Sequence, residues 1–174
     1  MKKIFLLVFT ACLLGSCGSE EKPETKEAPA QTQTQPTVAG TENPYPGYPQ
    51  EKVKLLFDSC DYIDVIFFQE SFSINQHTQK DIRGMLNYIS QNTPKTLNPA
   101  CQPIGRIFFQ IDGRNEASAN IFFQQECLYF LFLEDEKPVY ANGFTESGVN
   151  FFNNIFAQVN SQKKAMQQQQ QQGQ

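Results

Sequence analysis

The sequence contains no tryptophan and one histidine, and only 18% of its residues are Asp, Glu, Lys or Arg. Any imidazole chemistry would have to use that histidine, His77. No nucleophile-elbow pattern accompanies it, and its place near a helix start reads as a solvent-facing residue. A zinc site needs about four ligands held close together. His77 and the scattered Cys60, Cys101 and Cys127 do not supply them, so no metal is expected. No Gly-rich phosphate loop occurs, and no cofactor is expected. Lys and Arg number 14 against 18 Asp and Glu, for a net charge of −4. With no Lys/Arg-rich helix or patch, nucleic acid is excluded as a partner. Long apolar runs are also missing. The longest reading of one, Ile4–Leu14, is about eleven residues, where a bilayer span needs roughly 20.

That run follows the basic head Met1-Lys2-Lys3 and closes on Leu14-Gly15-Ser16-Cys17. The arrangement resembles a bacterial lipoprotein signal peptide ending in a lipobox. The resemblance covers residues 1–17 only and says nothing of the folded part. It implies cleavage before Cys17, lipid attachment at Cys17, and a mature chain tethered to a membrane through that anchor. One acyl chain anchors only marginally and stable anchoring needs more than one; lipoproteins of this kind typically carry three. Cys12 fits less well, because Phe9-Thr10-Ala11 precedes it where the lipobox prefers Leu. Plain secretion without lipid is the alternative. After Cys17 no Asp stands at the inner-membrane retention position. Ser19-Glu20-Glu21 begins an acidic tract similar to the surface-export signal of some Gram-negative lipoproteins. The expected location is the cell outer membrane, with either leaflet open.

The organisation reads as a signal peptide over 1–16, a lipidated disordered tether over 17–50, a folded domain over 51–162, and a Gln-rich disordered tail over 163–174. Lys22-Pro23-Glu24, Ala28-Pro29-Ala30 and Gln31–Pro36 cannot bury a core. A coil of this length spans about 30 Å, enough to hold the domain clear of lipid headgroups. Asn43-Pro44-Tyr45-Pro46-Gly47-Tyr48-Pro49 reads either as a polyproline-type ligand strip or as a stiff linker end packed on the domain. The second reading is favoured. In the domain, Val53–Phe57 suggests a short strand and Tyr62–Gln69 a stronger one. Ile82, Met85, Leu86 and Ile89 keep helical spacing within a helix over Gln76–Ser90, with Asn75 as a plausible N-cap. Strands follow over Ile104–Ile111, Ala117–Gln125, Leu128–Leu133 and Val139–Asn142. A last helix, capped by Thr145, carries the stripe Phe152, Ile155, Phe156 and Val159. The fold class is α+β: a two-layer sandwich of a mainly antiparallel sheet of 4–6 strands with two helices on one face. Without Val53–Phe57 the order resembles the TATA-binding-protein-like architecture, as an analogy of fold alone.

Ile-Phe-Phe-Gln occurs three times, at Ile66–Gln69, Ile107–Gln110 and Ile121–Gln124. Side chains alternate faces along a strand. Ile66/Phe68, Ile107/Phe109 and Ile121/Phe123 then form one apolar face, expected under the helices. Phe67, Gln69, Phe108, Gln110, Phe122 and Gln124 form the other, with Arg106 and Asn120. These six are the candidate binding residues. Phe108 and Phe122 share a face only if the intervening hairpin loop is odd or a bulge restores the phase. The face is open for a partner, or covered by residues 43–57 or by a second copy of the chain.

Cys60 and Cys101 precede two of the repeats at matching positions. If those strands lie parallel and adjacent, Cys60 and Cys101 can bridge, which is worth about 4 kcal/mol; another pair of the three cysteines, or no bridge, are the alternatives. Asp58, Asp61 and Asp64 cluster near the first strand and leave a carboxylate hydrolase as the runner-up. A purely structural lipoprotein is the third reading. The leading one is a non-enzymatic, membrane-tethered module that binds an envelope protein or peptide through aromatic contacts ringed by amides.

Overall fold

A computed structural model describes residues 40–172. The signal peptide, Cys17 and the tether up to residue 39 lie outside the described residues. The chain is an α+β fold. In chain order the elements are β1 (Thr41–Glu42), α1 (Gln50–Ser59), β2 (Tyr62–Phe67), β3 (Ser73–Gln76), α2 (Gln79–Leu86), β4 (Thr96–Leu97), β5 (Gly105–Ile111), β6 (Arg114–Gln124), β7 (Cys127–Glu134), β8 (Lys137–Gly143) and α3 (Glu146–Gln172). Six strands form one sheet in the order β3-β2-β5-β6-β7-β8, and β1 and β4 form a separate two-stranded sheet. All neighbouring pairs are antiparallel.

The elements follow from local chemistry. The β5–β6 hairpin turns at Asp112-Gly113, both with positive φ, the Asp-Gly signature of a tight two-residue turn. The register then shifts between Phe109 and Gln110, which pair with Ala117 and Asn115, leaving Glu116 bulged out. The even loop and the bulge together restore the phase, so Phe108 and Phe122 do share a face. In α2, Thr78 is the N-cap, its hydroxyl accepting from the Asp81 N–H at 3.2 Å. Asn75, the expected cap, belongs to β3 instead. Val53–Phe57 is not a strand but part of α1. Val53, Leu56 and Phe57 keep i, i+3, i+4 spacing and turn toward the core, a period that an isolated apolar pentamer does not distinguish from strand. The last helix continues through the glutamine run to Gln172, where the sequence analysis expects a disordered tail.

One face of the large sheet carries the main core. Ile63, Val65 and Phe67 of β2, Ile107 and Phe109 of β5, Ile121 of β6, and Phe130 and Phe132 of β7 are buried there. Leu56 of α1, Ile82, Met85 and Leu86 of α2, and Phe152 of α3 pack on them. A smaller cluster lies on the opposite face: Phe122, Cys127, Tyr129, Leu131 and Ala141, with Leu97 of β4 and the partly buried Tyr45 and Cys101. β7 is covered on both sides at this point. Its unbroken Tyr129-Phe130-Leu131-Phe132 run is what double coverage demands.

Residues 43–49 form a strap over the β8 edge. The Ala141 N–H donates to the Pro46 carbonyl at 2.8 Å, and the Tyr48 N–H donates to Asn142 Oδ1 at 2.7 Å. Tyr45 belongs to the smaller cluster, while Tyr48 belongs to the main core and stacks on Phe132 at 4.0 Å. The packed-linker reading of this segment is the observed one.

Cys101 is bonded to Cys127 across 26 positions, and Cys60 is a free buried thiol. Of the possibilities, the bridge that forms is not Cys60–Cys101 but another pair. β2 and β5 are adjacent, but they run antiparallel, which sends the two cysteines to opposite ends of the pair.

Candidate functional site

On the large sheet, the face away from the helices is half closed. The β1–β4 sheet, the Cys101–Cys127 bridge and Tyr45 seal its β6–β8 side. Phe122 is consequently buried, stacked on Tyr129 at 4.6 Å, and is not an available contact. On the β2–β5 side the face is open. Cross-strand partners share a face, so Asp64 lies beside Phe108, Ile66 beside Arg106, and Tyr62 beside Gln110. Ile66 is 43% exposed, and Phe68, one residue past β2, is 53% exposed. Phe108 is half-buried, with the Arg106 guanidinium 6.0 Å from its ring centre.

This places β2 in the opposite phase from the one expected. Phe67 faces the core, packed at 4.8 Å from Phe72 and 5.4 Å from Phe156, while Ile66 and Phe68 face out. Asp64 sets the phase. A carboxylate is placed on the solvent side when it has a choice, and residues two positions away from it follow. Ile107/Phe109 and Ile121/Phe123 face the helices as expected.

Polar groups frame the open apolar row. Asn75 Nδ2 donates to Asp64 Oδ1 at 2.9 Å and to the Tyr62 hydroxyl. Arg106 Nε donates to Asn120 Oδ1 at 2.9 Å, and its Nη1 pairs with Glu136 at 2.7 Å. These contacts use up much of the charge, leaving the apolar edges of Ile66, Phe68 and Phe108 as the free surface.

On the helix side of the sheet a groove of about 220 Å³ opens between the ends of β2, β5 and β6 and helix α3. Phe67, Phe123, Phe156 and Ile104 form its apolar part, and Gln69, Gln102 and Gln124 its amides. Glu70, also in its wall, pairs with Lys163 of α3. The groove thus gathers Phe67, Gln69 and Gln124 from the six candidates. Phe108 and Gln110 stay on the open face, and Phe122 is sequestered. Ile66 and Phe68, expected under the helices, and Tyr62 are the surface residues that the repeat did not place on this face; Asp64 was the signal for their phase.

The carboxylates of the runner-up reading are engaged separately. Asp58 pairs with Lys54, Asp61 accepts the Asp112 N–H, and Asp64 is held by Asn75. Exposed His77 precedes the α2 cap. Among the described residues, no group of three or more His, Cys, Asp or Glu side chains could hold a metal ion. No helix among them is long and apolar enough to cross a membrane. No protein-family model, curated protein or solved structure matches the chain.

Proposed function

We propose that the chain is a non-enzymatic binding module, held at the outer membrane through lipid on Cys17, which recognises an envelope protein or peptide on the open half of its outer sheet face. The observation that carries the reading is the exposed pair Ile66 and Phe68, on the same sheet face as half-buried Phe108, which lies diagonally across from Ile66, while the chain itself seals the other half of that face. Contiguous exposed aromatic area marks contact sites. A groove at the end of β2, on the helix side of the sheet, extends the same reading. Its apolar floor accommodates a side chain and its Gln69, Gln102 and Gln124 amides suit a peptide backbone. The Cys101–Cys127 disulfide fits an extracytoplasmic address.

Cross-linking in intact cells tests the contact, comparing wild type with Phe68→Ser at matched abundance. A discrete partner captured by wild type and lost in the variant is the expected result. Equal capture by both forms moves the contact elsewhere. Membrane fractionation of Cys17→Ser checks the anchor: the variant should leave the membrane fraction.

A further inference from the structure

A second cavity lies on the helix side of the sheet, between α1, α2 and the end of β8, with a volume of about 260 Å³. Its floor is apolar, built from Phe132, Leu56, Leu86 and Val53. No residue lining it carries a charge. The exposed Gln50, Asn87 and Gln91 stand at its rim.

Its walls are pinned. Asn142 is 3% exposed and spends both ends of its amide on backbone 94 and 52 positions away. Its Oδ1 accepts from the Tyr48 N–H at 2.7 Å, and its Nδ2 donates to the Ser90 carbonyl at 2.9 Å. The Ser90 N–H also donates to the Gly143 carbonyl at 2.8 Å, and the Gly143 N–H to the Asn92 carbonyl at 2.9 Å. The strap leading into α1 and the segment after α2 are thereby both fixed to β8, at the edge of the cavity. Pre-formed, mostly apolar cavities with a few polar groups at one end are the usual form of small-molecule sites. This one is slightly below the common range of about 300–1,000 Å³, which sets a small occupant.

We propose that the cavity binds a small uncharged molecule with an apolar body and one hydrogen-bonding end. The absence of charge in the lining decides the class. An ion entering it would shed water with no opposite charge to meet it, whereas a hydroxyl or amide finds the rim amides. The site is separate from the sheet face proposed above, and either reading can fail alone.

The test uses purified full-length protein, observed by the methyl NMR signals of Val53, Leu56, Leu86 and Ile89. The probes are benzyl alcohol and its charged counterparts benzoate and benzylammonium. Benzyl alcohol should shift these signals saturably, with binding about tenfold or more tighter than either ion. Val53→Phe should abolish the shifts by filling the floor. Gln91→Glu, an exposed change that spares the packing, should raise benzylammonium binding relative to benzoate. Absence of saturable shifts with benzyl alcohol, indole and cyclohexanol alike would overturn the proposal. So would equal binding of benzyl alcohol and the two ions.

Discussion

Two adjacent phenylalanines in one repeat have opposite duties. Phe67 is 4% exposed and Phe68 53%. Phe67→Ala should destabilise the fold by about 3–5 kcal/mol, as buried Phe truncations do, and Phe122→Ala should do the same. Phe68→Ser should stay within about 0.5 kcal/mol of wild type. Urea unfolding of the three variants checks the contrast. The repeat made the aromatic strands legible, and the phases of β5 and β6 with them. It could not give the phase of β2, because Ile-Phe-Phe reads equally well in either orientation; Asp64, outside the repeat, decides it. The burial of Phe122 was legible only in part: cover of this face by residues 43–57 was one of the readings and supplies Tyr45, while Leu97 of β4 is remote in sequence and carried no signal. Gly105 is a further position that pattern reading passes over. A Cβ there would run into the Ile66 carbonyl of β2. The Cys60 thiol is pushed up by burial, partly offset by its backbone hydrogen bonds. It should resist alkylation in the native protein and react once the chain is unfolded, as mass spectrometry would record.

At the scale of elements, α1 is the clearest departure from the sequence reading. Its apolar face is short and its first residue follows Pro49, so tertiary contacts decide its form. One of these is ionic: Lys52 reaches Glu134 at the β7–β8 turn, at 2.6 Å. The hydrogen bond from Lys52 holds the Glu134 carboxyl below its ordinary value, and Glu134 in return holds the Lys52 ammonium above its own. The Glu134 contribution is complete above the usual carboxylate pKa and is lost as pH falls through the depressed one. The Lys52 contribution is complete below the usual lysine pKa and is lost as pH rises through the raised one. Docking of α1 should therefore be tightest between these limits. Amide hydrogen exchange in α1, corrected for the intrinsic rate, should rise at both extremes, and Lys52→Met should flatten that response. The link is exposed and salt will weaken it.

Across the whole molecule, the two edges of the large sheet are treated differently. The strap occupies β8, whereas β3 is left short and polar, with Ser73, Asn75 and Gln76 among its four residues. Both are recognised ways of discouraging further strand pairing. The disulfide joins the loop after β4 to the start of β7. Closing 26 positions is worth about 3.5 kcal/mol in the chain-entropy model. Reduction should lower the unfolding free energy by about that amount, measured by urea titration with and without dithiothreitol. The bridge was not legible in the sequence: Cys101 and Cys127 come together where β4 packs on the outer face, and the matching positions of Cys60 and Cys101 would bring those two together only in a parallel pair.

The strap and the bridge also define how the domain carries tension. A pull from the N-terminal side enters at Gly40 and reaches β1 first. β1 is bonded to β4, and Asn43 is bonded to the Lys95 and Pro94 carbonyls. With Cys101 linked to Cys127, that load is handed to β7, inside the sheet. Without the link it falls on the two contacts at Ala141 and Asn142, and the strap peels from β8 one bond at a time. Single-molecule stretching from the N-terminus should show one high-force rupture in the oxidised protein and a low-force peeling step after reduction, so that a redox change sets how much pull the domain withstands from that end.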